Sequence, residues 1–164
     1  MLAGPRRSTR RVGFSGTLHL GGTTLTSSGG LENMLLVKLD ASGAVAWGEG
    51  FSGASGLAAG AGLAIDAAGE LFLTGAMEGT VDLGGASLTS TSGQSVLVAS
   101  FDAAGKYRWA QLSDSSLDST GVGIAVDPSC KVIIVGNFPG SLDFGGAPLT
   151  SSGIGDAFVA RFGR

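Results

Sequence analysis

Few residues of this chain have the chemistry to act on another molecule, and most of those that do fall at recurring positions. His19 is the only histidine, so a Ser-His-Asp triad or a histidine-bound metal would have to be built on it. It stands in the phrase "GTLHLGGTTLTSSGG", and its place is taken by Asp82 in "GTVDLGGASLTSTSG" and by Asp143 in "GSLDFGGAPLTSSG". A position so freely exchanged reads as surface. Asp82 and Asp143, with Asp40, Asp66, Asp102 and Asp127, supply carboxylates of the kind calcium uses. Calcium takes about six to eight oxygens, usually from closely clustered acids. The closest pairs of these six, Asp66 with Asp82 and Asp127 with Asp143, are 16 residues apart. Stabilising turns is the role expected of them, and no metal site is expected.

Cys130 is the only cysteine, which excludes an intrachain disulfide and a cysteine-built zinc site. Apart from the adjacent Lys131, the sequence shows no basic cluster to lower its thiol pKa. Trp47 and Trp109 occupy equivalent positions, each four residues after the glycine of its turn. Aromatic pairs of this kind stack on sugars, and they serve equally well as packing residues between sheets. They are the two candidate binding residues. The Gly-Gly pairs form neither a G-x-G-x-x-G nor a P-loop, so no nucleotide cradle is indicated and no cofactor is expected. Carboxylates for glycoside hydrolysis pair in space rather than in sequence. No catalytic residue is singled out.

The elements that carry these residues repeat. "ELFLTGAMEGTVDLGGASLTSTSG" from Glu70 aligns with "KVIIVGNFPGSLDFGGAPLTSSG" from Lys131, and "VLVASFDAAGKYRWAQL" from Val96 with "MLLVKLDASGAVAWGEG" from Met34. Gly13, Gly75 and Gly136 are equivalent, which puts the period at 61 to 62 residues. Four strands are expected per period: a short "GLAID" or "GIAVD", an apolar "ELFLTG" or "KVIIVG" buried on both faces, "VLVASFD" or "MLLVKLD" or "AFVARF", and an alternating "KYRWAQLS" or "AVAWGEGF". The recurring phrase sits between the second and third as an inserted hairpin with Gly-Gly at its bend. Asp-x-x-Gly turns join strands at Asp40–Gly43, Asp66–Gly69 and Asp102–Gly105. At the fourth such turn Cys130 replaces glycine. No helical periodicity outlasts a single turn.

Four antiparallel strands at a fixed period describe a β-propeller blade. The pattern "GIAVD…VIIVGNFPGSLDFGGAPLTSSG…DAFVARF" resembles the SBBP-type β-propeller repeat of bacteria, found notably in large, often surface or secreted proteins of myxobacteria. The resemblance covers residues 12–164 but for the last two, and it implies an all-β fold of propeller blades and a surface or secreted location. It implies no catalytic motif. The repeat region holds about two and a half units of roughly 61 residues, whereas closed propellers have ~4–8 blades. An incomplete propeller is therefore expected.

The chain has 164 residues, of which 43% are hydrophobic and 14% charged, with 30 glycines. That balance opposes disorder, which needs low hydrophobicity and high net charge. Arg6, Arg7, Arg10 and Arg11 are four of ten basic residues, so residues 1–11 read as a solvated, disordered basic arm. The remainder is more acidic than the net charge of −3 and argues against nucleic acid as a partner. No run reaches the ~18 apolar residues of a membrane-spanning helix, and the N-terminus lacks the apolar core of a secretory signal.

The function expected is a non-enzymatic binding or scaffold module with a protein or glycan partner. The alternative is a fragment of a larger surface or secreted propeller protein, and a propeller-based glycosidase or lyase comes third. The unpaired third strand "AFVARF" predicts self-association through an exposed edge.

Overall fold

The computed structural model describes residues 13–27, 33–52, 57–85 and 87–163. The basic arm read over residues 1–11 lies outside them. Strand β1 (Gly13–Phe14) leads into a hairpin, β2 (Thr17–Leu20) and β3 (Thr23–Thr26), followed by β4 (Asn33–Leu39) and β5 (Val45–Phe51). The pattern then recurs as β6 (Leu57–Ile65), β7 (Leu71–Glu78), the hairpin β8 (Thr80–Asp82) and β9 (Ser87–Thr89), β10 (Ser95–Phe101) and β11 (Tyr107–Leu112). A short β12 (Asp114–Ser115) precedes the last recurrence: β13 (Thr120–Val126), β14 (Val132–Phe138), the hairpin β15 (Ser141–Asp143) and β16 (Leu149–Thr150), and β17 (Asp156–Phe162). The protein is all-β, with no helix among the described residues.

Three antiparallel sheets hold the repeats: β1-β4-β5, β11-β10-β7-β6 and β13-β14-β17. None is closed. Gly13, Gly75 and Gly136 stand in corresponding strands of the three, and the inserted hairpin follows each of those strands as expected. At its bend, positive φ falls on the first glycine of each pair, Gly21, Gly84 and Gly145, a conformation only glycine adopts without cost.

The middle sheet is the centre of the molecule because both of its faces are covered. Leu71, Leu73, Leu97, Ala99 and Phe101 point to one side and join Met34, Leu36 and Phe51 of the first sheet. Phe72, Val96 and Val98 point to the other and join Val132, Ile134 and Phe158 of the third. Strand alternation divides one apolar run between two cores. The continuous apolar stretch of β7 is thus explained, and seven of its eight residues are buried.

Two expectations need correction. β14 was expected to be buried on both faces like β7, but it alternates: Val132, Ile134 and Phe138 are buried while Val135 is 40% exposed. No described element packs against the outer face of the third sheet, so hydrophobicity alone overstated the burial. The first strand of the repeat was expected to be short, yet β6 spans nine residues. Its ladder with β7 continues through a bulge between Gly60 and Gly62, and β13 repeats the device between Gly121 and Gly123. A bulge carries one unpaired extra residue, here Ala61 and Val122.

The serine-rich segment between the second and third repeats is also more ordered than its polarity suggests. Ser113, Ser115 and Ser119 are all buried. Ser113 Oγ accepts from the Val96 amide at 2.9 Å and meets Ser115 Oγ at 2.7 Å, while the Ser119 amide donates to the Gln94 carbonyl at 2.8 Å. Within it β12 pairs with β15, so the segment straps the third hairpin to the middle sheet. Buried hydroxyls are tolerated because each finds a partner.

Candidate functional site

The aspartates that sequence singled out are engaged by the backbone. At each Asp-x-x-Gly turn, one carboxylate oxygen accepts two amide hydrogens, from the residues two and four positions on. The distances are 2.8 and 3.0 Å for Asp40, 2.9 and 2.9 Å for Asp66, 2.9 and 3.0 Å for Asp102, and 2.8 and 2.9 Å for Asp127. Asp82 and Asp143 brace their hairpins in a related way: Asp82 Oδ1 accepts from the Gly84 amide at 2.8 Å, and Asp143 Oδ1 from the amides of Gly145 and Gly146 at 2.7 and 2.8 Å. Among the described residues, no group of three or more His, Cys, Asp or Glu side chains comes together in a way that could hold a metal ion.

Hydrogen bonding to the ionised form lowers a carboxyl pKa. The Ser42 hydroxyl does so for Asp40, the Lys106 amide for Asp102, and the Lys131 amide together with Arg161 for Asp127, each from an ordinary value of 3.8. A depressed folded pKa stabilises the fold above the unfolded value, and the contribution disappears as pH falls through the folded one. Stability is therefore expected to decline from about pH 4 downwards, and Asp127→Asn to flatten that decline. Thermal midpoints measured between about pH 5 and 2 check it; an unchanged pH slope in the variant would count against the turn carboxylates.

Cys130 is half-buried and is the one non-glycine described residue with positive φ, at 58°. Gly43, Gly69 and Gly105 hold the same turn position at 84–86°. The left-handed conformation costs an L-residue roughly 1–2 kcal/mol, part of which glycine returns through the entropy of its unfolded chain. Cys130→Gly is expected to stabilise the protein by about 0.5–1 kcal/mol, read as a higher urea midpoint at constant slope. A lower midpoint would refute the assignment of strain. His19 is exposed on the first hairpin, its Nδ1 3.1 Å from Thr24 Oγ1, remote from any cluster of acids.

Trp47 and Trp109 both lie between sheets, half-buried. Trp47 packs against the core shared by the first and second sheets, and Trp109 against that shared by the second and third. Their surroundings differ. Trp47 is roofed by the turn of the next sheet: a Cβ on Gly105 would come within 2.8 Å of its ring, and Lys38 Nζ donates to the Ala103 carbonyl at 3.1 Å. Trp109 instead lines an open groove of about 580 Å³ with Glu70, Arg108, Gln111, Phe162 and Gly163. Phe162 is reached through a chain of rings, edge-on to Phe144 at 5.4 Å, which in turn lies 5.5 Å from Phe158. Ser100 Oγ donates to Glu70 Oε1 at 2.6 Å, holding that carboxylate at the groove margin.

Of the sequence candidates, Trp109 is the one that lines this groove. Glu70, Arg108 and Gln111 carried no motif; the middle sheet brings them to one side, Arg108 and Gln111 on β11 and Glu70 just before β7, and the end of β17 adds Phe162. Compared with protein-family models and with curated proteins, the chain matches none. Fold and groove define an all-β protein of stacked antiparallel repeat sheets.

Proposed function

We propose that this chain is a non-enzymatic binding or scaffold module built from β-propeller-type blades, with the groove at Trp109 as its binding surface. The observation that carries this reading is the use made of the acidic side chains. The six aspartates at recurring positions are bonded to backbone amides of their own turns or hairpins. Their sequence positions are spent on architecture. The three equivalent sheets, packed face to face on a 61- to 62-residue period, are what blades require. The resemblance to SBBP-type repeats agrees with this and favours a surface or secreted setting.

The test is a binding screen against a glycan array and peptide libraries, alongside hydrolysis assays on generic glycoside and ester substrates. Binding lost in Arg108→Ala, with no turnover, is the expected result. Hydrolysis abolished by one alanine substitution would overturn the proposal.

A second reading, an incomplete propeller completed by further sheets, is favoured by one observation. Val159 is 71% and Val135 40% exposed, whereas their equivalents in the middle sheet, Val98 and Thr74, are fully buried beneath the third sheet. Light scattering during size exclusion separates the two. A concentration-dependent mass distribution supports an unfinished stack, and a single dilution-independent monomer contradicts it.

A further inference from the structure

We propose that the outer edge of β17 and the groove at Trp109 together accept an extended polypeptide strand, which pairs antiparallel with β17 and covers Trp109 and Phe162. This rests on reading the three sheets as blades, and it names the partner: a peptide segment patterned like the fourth strand of the repeat. The molecule itself displays the interaction twice. β4 carries β5 on its outer edge, from Met34↔Phe51 to Leu39↔Val45. β10 carries β11, from Leu97↔Leu112 to Phe101↔Tyr107. β17 is the equivalent strand of the third sheet and meets β14 in the register in which β10 meets β7, Phe158 opposite Gly136 as Leu97 is opposite Gly75. Among the described residues no strand pairs with its other edge.

The groove completes the case, because it continues the established interface between the second and third sheets. Trp109 and Phe162 belong to both. At the preceding interface, the ring equivalent to Trp109 is covered by the turn that leads into the fourth strand, through Gly105 and Ala103. Tyr107, which opens that strand, lies edge-on to Phe101 at 6.3 Å, and Phe101 is the equivalent of Phe162. A segment that turns at Asp-x-x-Gly and then alternates, with an aromatic residue first, would set its turn on Trp109 and its first ring on Phe162. Backbone hydrogen bonds to an exposed edge supply the affinity of such strand addition, and side-chain pockets supply its selectivity.

The experiment uses the intact chain and a fluorescein-labelled synthetic peptide with the sequence of residues 102–114, read by anisotropy against a scrambled peptide of the same composition. Saturable binding, at least about tenfold tighter than the scrambled control, is expected. Adjacent strand residues direct their N–H groups to opposite edges, so Val159→Pro and Ala160→Pro are compared. One is expected to abolish peptide binding while keeping the melting temperature, and the other to disturb the ladder with β14. Should both variants unfold, the difference between peptide and scrambled control on the unmodified chain still decides. Equal binding of the two peptides, or binding that survives both prolines, would overturn the proposal. So would a glycan whose saturable binding is lost in Arg108→Ala and Gln111→Ala, since the groove would then be a carbohydrate site. Hydrogen exchange separates this inference from the one beneath it. Protected amides in β7 and β10 without peptide binding remove the strand site alone, whereas unprotected ones remove the blade reading as well.

Discussion

Gly75→Ala is expected to destabilise the protein by about 3 kcal/mol or more, enough to abolish folding at physiological temperature in a marginal domain. The cause is steric and lies in the backbone. A Cβ at position 75 would overlap the Ala59 carbonyl oxygen and carbon and press on Gly60 Cα. β6 crosses at that point with its bulge between Gly60 and Gly62, pairing Gly60 with Gly75. β7 cannot retreat, because it is also held by β10 along seven residues. Gly136 is in the same situation against the Thr120 carbonyl and the Phe158 ring, so Gly136→Ala is expected to behave alike. Gly22→Ala is the control: nothing lies within 4 Å of its Cβ position, and a change within about 0.5 kcal/mol is expected. Urea unfolding of the three variants measures this. A Gly75→Ala protein as stable as Gly22→Ala would mean that the strands are not so closely bound.

The second large effect concerns the two phenylalanines that face opposite ways from the middle sheet. Phe72 and Phe101 are each fully buried, one in the core with the third sheet and one in the core with the first. Phe101 sits 5.0 Å from Phe51 and edge-on to Tyr107. Truncation to alanine is expected to cost about 3–5 kcal/mol at either site, through lost transfer free energy and an unfilled cavity. The distribution of the damage distinguishes the two. In stacked repeats each unit touches only its neighbours, so Phe101→Ala is expected to speed amide exchange in β4 and β5, and Phe72→Ala in β13, β14 and β17. Uniform acceleration in both variants would indicate one undivided core instead of two.

Much of this architecture was legible in the order of residues. The Asp-x-x-Gly turns could be read because their chemistry is local: a carboxylate two to four residues from the amides it binds needs no tertiary partner. Cys130 was marked as an anomaly for the same reason, since glycine at three equivalent turns announces a backbone conformation. The inserted hairpin was legible from its repetition and its Gly-Gly bend. The bulges were harder. "GAG" at Gly60 and "GVG" at Gly121 are their trace, but an extra residue in a ladder is defined by the strand opposite. Hydrophobicity failed at the third sheet, where Val135 of β14 and Val159 of β17 are as apolar as the residues of β7 and β10 yet lie exposed, with no described sheet covering them.

The candidate site divides in the same way. Trp47 and Trp109 are equivalent by repeat position, and their differing neighbours, Ala46 and Glu49 against Arg108 and Gln111, do not say which ring is covered. The structure separates them: one lies beneath the 102–105 turn, and the other borders a groove with Glu70, Arg108 and Gln111. The sequence alone determined the all-β class, the period, the turn chemistry and the place of each hairpin, because these follow from local backbone preference and from repetition. Only the tertiary structure decided which faces are covered, which glycines sit against a neighbouring backbone, and which of two equivalent tryptophans remains accessible. Those properties belong to pairs of surfaces, and a pair is formed only when distant strands meet.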